Sequence, residues 1–328
     1  MLQKFKNREF YLLTIIAGII VATGYITPSF LTVGGISSLF EDSSILIILS
    51  LAQMIVMLTG GIDLSLASNI AFTGMLVGKV CHSHPDSPIL FLIFLALSVG
   101  LLLGMFNGFL IGYLKLPPLV VTLGTMNAYR GLTFIISNGG QWIKSQDLTE
   151  SFLNFPHISF LGISMIIWIA IIVGILMYIF LNKMRLGREI YSIGNNTLAS
   201  EYVGLKISRN IFYAYCLSGL IAGLCGYLWV ARFAVAYTEL AQGFELQTVA
   251  AVAIGGISNL GGIGTVPGAI LGALLLSLIA NALPSMGISP FWQLALSGAA
   301  IIIAIIINSR SNKLPVKRIL KNWITRRE

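Results

Sequence analysis

ISMIIWIAIIVGILMYIFL (163–181), NKMRLGREIYSIGNNTLASEYVGLKISR (182–209) and IFYAYCLSGLIAGLCGYLWV (211–230) lie almost end to end in the chain. Each outer stretch is long enough to cross a bilayer as a helix, which takes about 20 apolar residues. The middle stretch is polar and carries Lys183, Arg185, Arg188, Lys206 and Arg209 beside Glu189 and Glu201. A basic loop between two spans faces the cytoplasm by the positive-inside rule. So long a polar segment in a greasy chain suggests a surface on which another protein docks.

Composition extends this reading to all 328 residues, of which 56% are hydrophobic and only 10% charged. The mean hydropathy is +0.90, whereas a soluble domain has about 25% charge. Ile89 to Leu103, Ile166 to Phe180 and Ala299 to Ile307 are unbroken apolar runs. Barrel strands would alternate instead. The predicted fold class is an all-α integral membrane protein, multi-pass in the lipid bilayer, with residues 1–328 forming a single transmembrane domain.

Ten spans are expected, at roughly 10–27, 44–59, 65–81, 89–113, 119–137, 162–181, 211–232, 247–260, 266–283 and 291–308, some of them short enough to be half-helices. The first follows Lys4, Lys6 and Arg8 and lacks a small-residue cleavage site after it, so it reads as a retained span. An even number puts both termini on one side, and both are basic, which makes that side the cytoplasm. Residues 82–88 and 138–160 then fall outside, the latter with room for a small surface helix. Residues 114–118 and 182–209 fall inside, and 29–43 lie along the outer interface. Sixteen of the twenty Lys and Arg occur in segments assigned to the cytoplasm. The net charge of +8 therefore marks topology, and no nucleic-acid partner is expected.

Two stretches interrupt the apolar pattern: Thr59 to Asn69, reading TGGIDLSLASN, and Ile254 to Gly268, reading IGGISNLGGIGTVPG. Both contain Gly-Gly-Ile followed by a polar residue, and both precede an apolar span, which hints at an internal repeat. In many transporters, broken helices in repeats line the substrate path. Gly60, Gly61, Gly255 and Gly256 are read as helix-packing glycines, direct substrate contact being the other use of such a stretch. Asp63 can cap the helix that follows by accepting from the amides of Ser65 or Leu66, or it can serve a proton or the substrate. Arg130 can snorkel to headgroups or line an outer vestibule with Asn127. Asp63, Ser65, Asn69, Asn127 and Arg130 are the candidates for a translocation path.

Catalytic and metal signatures are lacking. Gly256 to Gly261 is followed by Gly262 and Ile263 rather than Lys and Ser/Thr, so no phosphate loop is formed. His82 and His84 are two lone imidazoles in a loop, and Cys81, Cys216 and Cys225 are scattered, so neither a metal site nor a disulfide framework is indicated. No nucleophile and base constellation stands out, and the chain is not expected to be an enzyme.

Together these pieces resemble the permease subunits of ABC importers for monosaccharides, the ribose-type family that includes the autoinducer-2 importers. The resemblance covers nearly the whole chain. It rests on Thr59-Gly60-Gly61-Ile62-Asp63-Leu64-Ser65, on Asn107-Gly108 and Pro117 to Thr125 with Tyr129-Arg130-Gly131, on Leu186-Gly187-Arg188 with Ile193-Gly194-Asn195-Asn196, and on Ile254 to Ser258 with Gly261-Gly262. In that family an Asn-Glu-Ala-Ala…Gly signature docks into the ATPase. Here Asn196, Ala199 and Gly204 match, while Thr197 and Leu198 replace the Glu and the first Ala. The residues themselves predict a short helix from about Thr197, capped by Asn196 and ended at Gly204. Gly187, Arg188, Asn196, Thr197, Leu198, Ala199 and Gly204 thus form the implied coupling loop.

The resemblance implies a bacterial inner-membrane subunit that binds no cofactor, with ATP and Mg on a partner ABC ATPase. It also implies an extracytoplasmic solute-binding protein and a second permease subunit, identical or paralogous. A monosaccharide or similar polyol-like solute of ribose or autoinducer-2 type is the expected cargo. An ion-coupled secondary transporter is the alternative, with Asp63 as its one plausible buried acid.

Overall fold

A computed structural model describes residues 2–285 and a few positions between 287 and 302. Most of the expected span 291–308 and all of the basic tail lie outside the described residues. Among the described residues the regular structure is helical apart from one hairpin of two-residue strands, β1 (Ser159–Phe160) and β2 (Ile163–Ser164).

Helix α1 (Leu2–Ile26) is followed by a short turn and by α2 (Val33–Leu58). Thr32 starts α2 by accepting from the Gly35 amide at 3.2 Å. Most of the segment expected to lie along the outer interface is therefore the first part of α2. From Ser43 to Leu58 every residue of α2 is buried. A helix that is apolar all round belongs in the middle of a bundle, and α2 is surrounded by α7 (Met165–Lys183), α10 (Ile207–Phe233), α11 (Phe244–Ile254) and α12 (Val266–Ser285).

The remaining long helices are α3 (Leu66–Ser83), α4 (Ile89–Gly108) with a π-turn at Phe109–Tyr113, and α5 (Pro118–Ile136). Seven helices among the described residues are long and apolar enough to cross a membrane. Two of the expected spans within the described residues are not among these seven. Helix α3 is long enough but diluted by Ser68, Asn69, Thr73 and Lys79. The expected span 247–260 stops at Ile254, because Gly255 and Gly256 end the helix. Its 11 residues reach about 16 Å, half the hydrocarbon thickness.

Helices α4 and α10 make a glycine seam that the sequence reading overlooked. A Cβ on Gly100 would collide with Gly219 and Gly223, one on Gly104 with Tyr215 and Gly219, and one on Gly108 with Phe212. Spacing of four residues between small side chains lets two membrane helices approach closely.

Outside the bundle, the predicted surface helix in 138–160 is α6 (Glu150–Asn154), but it is anchored rather than free. Phe152 is fully buried and meets Tyr227 edge-on at 4.9 Å. Ile143 and Ala236 exchange backbone hydrogen bonds at 3.0 and 2.9 Å, tying this segment to the one after α10.

Candidate functional site

The first break follows α2. Gly60 adopts φ +85°, a left-handed conformation that only glycine takes at little cost. The chain then crosses the bundle interior until α3 begins. Asp63 is 2% exposed. Its Oδ1 accepts from the Ser65 amide at 3.0 Å and the Ser65 hydroxyl at 2.6 Å. Asn107 donates to that hydroxyl at 2.8 Å. Gln53, with its amide turned to satisfy both contacts, donates to Asp63 O at 2.9 Å and accepts from Asp63 N at 3.3 Å. Asp63 thus holds Ser65, the residue just before α3, but does not bond Leu66, and no side chain caps α3 itself. Asn69 donates to Gly100 O at 3.3 Å, inside the glycine seam.

Of the path candidates, Asp63 and Ser65 come together, and Asn69 lies a turn further along α3. The other two do not join them. Asn127 is exposed and donates to Leu123 O of its own helix at 2.9 Å. Arg130 does not pair with Asn127. Its Nη1 donates to Thr238 O at 2.8 Å and Leu240 O at 2.7 Å, so its charge is taken up by the carbonyls of the segment after α10. Elsewhere, His82 Nδ1 lies 3.3 Å from Asp147 O.

The second break follows α11. Gly255 packs against Gly268, where a side chain would collide with backbone, whereas Gly256 turns the chain at φ +96°. Packing therefore describes Gly255, and turning describes Gly60 and Gly256. Arg8 closes the end of α11 by donating to Ala253 O and Ile254 O at 3.0 Å each. A cation there also complements the helix dipole. The two breaks touch: the Gly262 amide donates to Leu58 O at 3.0 Å.

The polar segment 182–209 folds onto that junction. Helix α8 (Arg185–Asn195) places Gly194 against Leu58 O and Gly262 N, and Tyr191 donates to Gly264 O at 2.9 Å. Helix α9 (Thr197–Tyr202) is capped by Asn196, whose Oδ1 accepts from the Ala199 amide at 3.0 Å. Gly204 reverses the chain at φ +80°. Gly187 lies tight against Phe180 and Leu181 of α7. Arg188, by contrast, is exposed and reaches Lys183 O at 3.3 Å.

Glu189 holds this segment to α10. Its carboxylate accepts from Arg185 Nε at 2.6 Å and Asn210 Nδ2 at 2.9 Å, with Arg209 at 3.7 Å. The Arg185 hydrogen bond keeps the carboxyl below its ordinary range, against the opposing effect of burial. On the open side, Leu198, Tyr202 and Val203 are 69, 90 and 75% exposed. A short rigid helix with apolar groups turned outward can seat in a partner's groove.

Residues 35–305 match the family described as branched-chain amino acid transport system / permease component. The chain is 36% identical to a probable ABC transporter permease protein, y4mJ, of Sinorhizobium fredii, over 88% of this chain and 86% of the relative. It is 32% identical to the D-allose transport system permease protein AlsC of Escherichia coli, over 94% and 93%. It is 33% identical to the autoinducer 2 import system permease protein LsrC of Salmonella paratyphi B, over 93% and 87%. No solved structure matches the chain. With a family match over most of its length and apolar helices fit to cross a membrane, the chain belongs to the permease components of ABC transport systems and is a multi-pass inner-membrane protein.

Proposed function

We propose that this permease imports a monosaccharide or similar polyol-like solute, driven by a separate cytoplasmic ATPase that binds ATP and Mg. The observation that carries the coupling is the pairing of α9, with Leu198, Tyr202 and Val203 exposed, to α8, which abuts both helix breaks. A groove that closes around α9 can thus act on the membrane interior through Gly194 and Tyr191. The solute class follows the relatives named for D-allose and autoinducer 2. The family description, which names branched-chain amino acids, supplies the competing class.

In this reading residues 1–328 are one permease domain of about ten helices with both termini cytoplasmic and a coupling loop at 182–209. A solute-binding protein delivers cargo from outside, and a second permease subunit, identical or paralogous, completes the path. Gly187, Arg188, Asn196, Thr197, Leu198, Ala199 and Gly204 couple; Asp63, Ser65, Asn69, Asn127 and Arg130 belong to the path or its supports. ATPase and solute act on one switch, each through its unequal affinity for the outward and inward states.

Ala199→Arg places a bulky charge on the knob, so ATPase copurification and uptake should both fall while membrane insertion persists. If both survive, α9 is not the coupling element. A thiol at Ser145 should be labelled from outside and one at the exposed Tyr202 spared; the reverse overturns the orientation. Competition by D-allose but not leucine supports the solute class, and the opposite result replaces it.

A further inference from the structure

A cavity of about 770 Å³ opens where three spans end together: the π-turn after α4, the start of α5 and the start of α10. Lys115, Lys206 and Arg209 line it, with Glu201 as the one carboxylate in its wall. Among the described residues neither Lys115 nor Lys206 makes an ion pair, and both are exposed. Arg209 is half-buried with Nη2 3.7 Å from Glu189, and its Nε has no hydrogen-bond partner among the described residues.

The start of α10 adds to the same field. Ser208 and Arg209 line the cavity in the first turn of this 27-residue helix, and no side chain caps that turn. Uncapped amides and the positive end of a long helix favour an anion. Three cations around one cavity then call for phosphate chemistry.

The walls decide between a free phosphate and a lipid. Tyr113, Leu116 and Ile211 form the apolar side of the cavity. That side runs into an exposed apolar surface in which Phe109, Tyr113, Leu114 and Tyr213 are 49, 50, 52 and 42% exposed. At the end of membrane spans such a surface faces acyl chains. An ion in water has no use for it. A headgroup phosphate with its chains attached uses both halves, and basic pockets between spans bind such headgroups.

We infer that this cavity binds the headgroup of an anionic phospholipid, with Lys115, Lys206 and Arg209 around the phosphate and the chains laid along Tyr113 and Leu116. The site is independent of the transported solute. It adjoins Thr197 and Glu201 of α9, so a bound lipid would stiffen the base of the segment proposed to couple.

The test uses the full chain purified into nanodiscs of phosphatidylcholine alone or mixed with phosphatidylglycerol. Native mass spectrometry counts retained phosphatidylglycerol, and thermal unfolding reads its stabilisation. Lys115→Gln with Lys206→Gln should weaken retention about tenfold or more, since each basic group near an anionic surface contributes on that scale. These side chains are exposed and unpaired, so folding should persist, and Lys144→Gln, remote from the cavity, should change nothing. Equal retention by the double variant overturns the site. Inorganic phosphate that reproduces the stabilisation in phosphatidylcholine alone makes it an ion site instead. Unchanged retention with lost ATPase copurification would assign the cavity to an acidic group of the ATPase.

Discussion

Leu58 and Gly262 join the two interrupted helices of this permease through one backbone hydrogen bond of 3.0 Å. Leu58 is the last residue of α2, and Gly262 belongs to the turn between α11 and α12. Breaks deep in a membrane bundle leave backbone groups that lipid cannot satisfy. Here each break supplies a partner to the other, so neither can rearrange alone. Gly194 of α8 lies against both atoms of that bond.

Replacing Gly194 with Ala should therefore disturb the junction directly. A Cβ there would collide with Leu58 O and with Gly262 N, all of it backbone that cannot swing aside. Overpacking of this kind costs about 1–3 kcal/mol. The expected result is a lower melting temperature in detergent and a larger loss of uptake. Gly124→Ala is the control, because nothing lies within 4 Å of its added Cβ. Equal behaviour of the two variants would remove Gly194 from the junction.

Glu189 predicts a pH effect on the 182–209 segment. Its folded carboxyl is held below the ordinary value of 4.5, chiefly by Arg185. A depressed acid contributes stability above the unfolded value, and that stability is lost as pH falls from 4.5 through the folded value. Hydrogen exchange in α8 should accelerate as the medium is acidified below that point. Glu189→Gln should show fast exchange already at neutral pH and little further change on acidification. A variant as protected as the parent would mean that Glu189 does not hold α8 to α10.

Arg130 should matter for the segment 234–243 that follows α10 rather than for solute contact. Loss of its hydrogen bonds to Thr238 O and Leu240 O in Arg130→Gln should cost about 2 kcal/mol for each bond lost, as charged hydrogen bonds do. Proteolysis within 234–243 should become faster, with solute affinity of the transporter little changed. A change in affinity without faster cleavage would return Arg130 to the path.

Much of this architecture was legible because membrane burial writes itself into long apolar runs. The 182–209 segment was legible for the converse reason, and Asn196 with Gly204 gave the bounds of α9. The expected span at 247–260, one of those short enough to be a half-helix, ends early because hydropathy continues past Ile254 while the helix does not. Gly256 needs φ +96°, and only packing reveals that. Likewise Arg130 had an apolar setting but no visible partner, since the carbonyls it binds lie more than a hundred residues away. The α4–α10 seam carried a usable signal in Gly100, Gly104, Gly108 and Gly112 at every fourth position. Nothing in one chain's spacing could point to Gly194, whose neighbours come from two other segments.

Asp63 separates an ATP-driven importer from an ion-coupled one. Its Oδ1 accepts from both the amide and the hydroxyl of Ser65, and that hydroxyl also receives Asn107. Asn keeps an acceptor oxygen at the same place and caps about as well as Asp. Asp63→Asn should therefore fold, reach the membrane and retain substantial uptake. Leu offers no acceptor, and Ser65 would lose both bonds inside a fully buried cluster. Leaving such donors unsatisfied costs about 1–3 kcal/mol each, so Asp63→Leu should accumulate poorly. If the Asn variant accumulates normally yet loses uptake, and the parent's uptake follows external pH, an ionisable carboxyl is required. A proton would then be moving with the solute, and ATP could not be the sole source of drive.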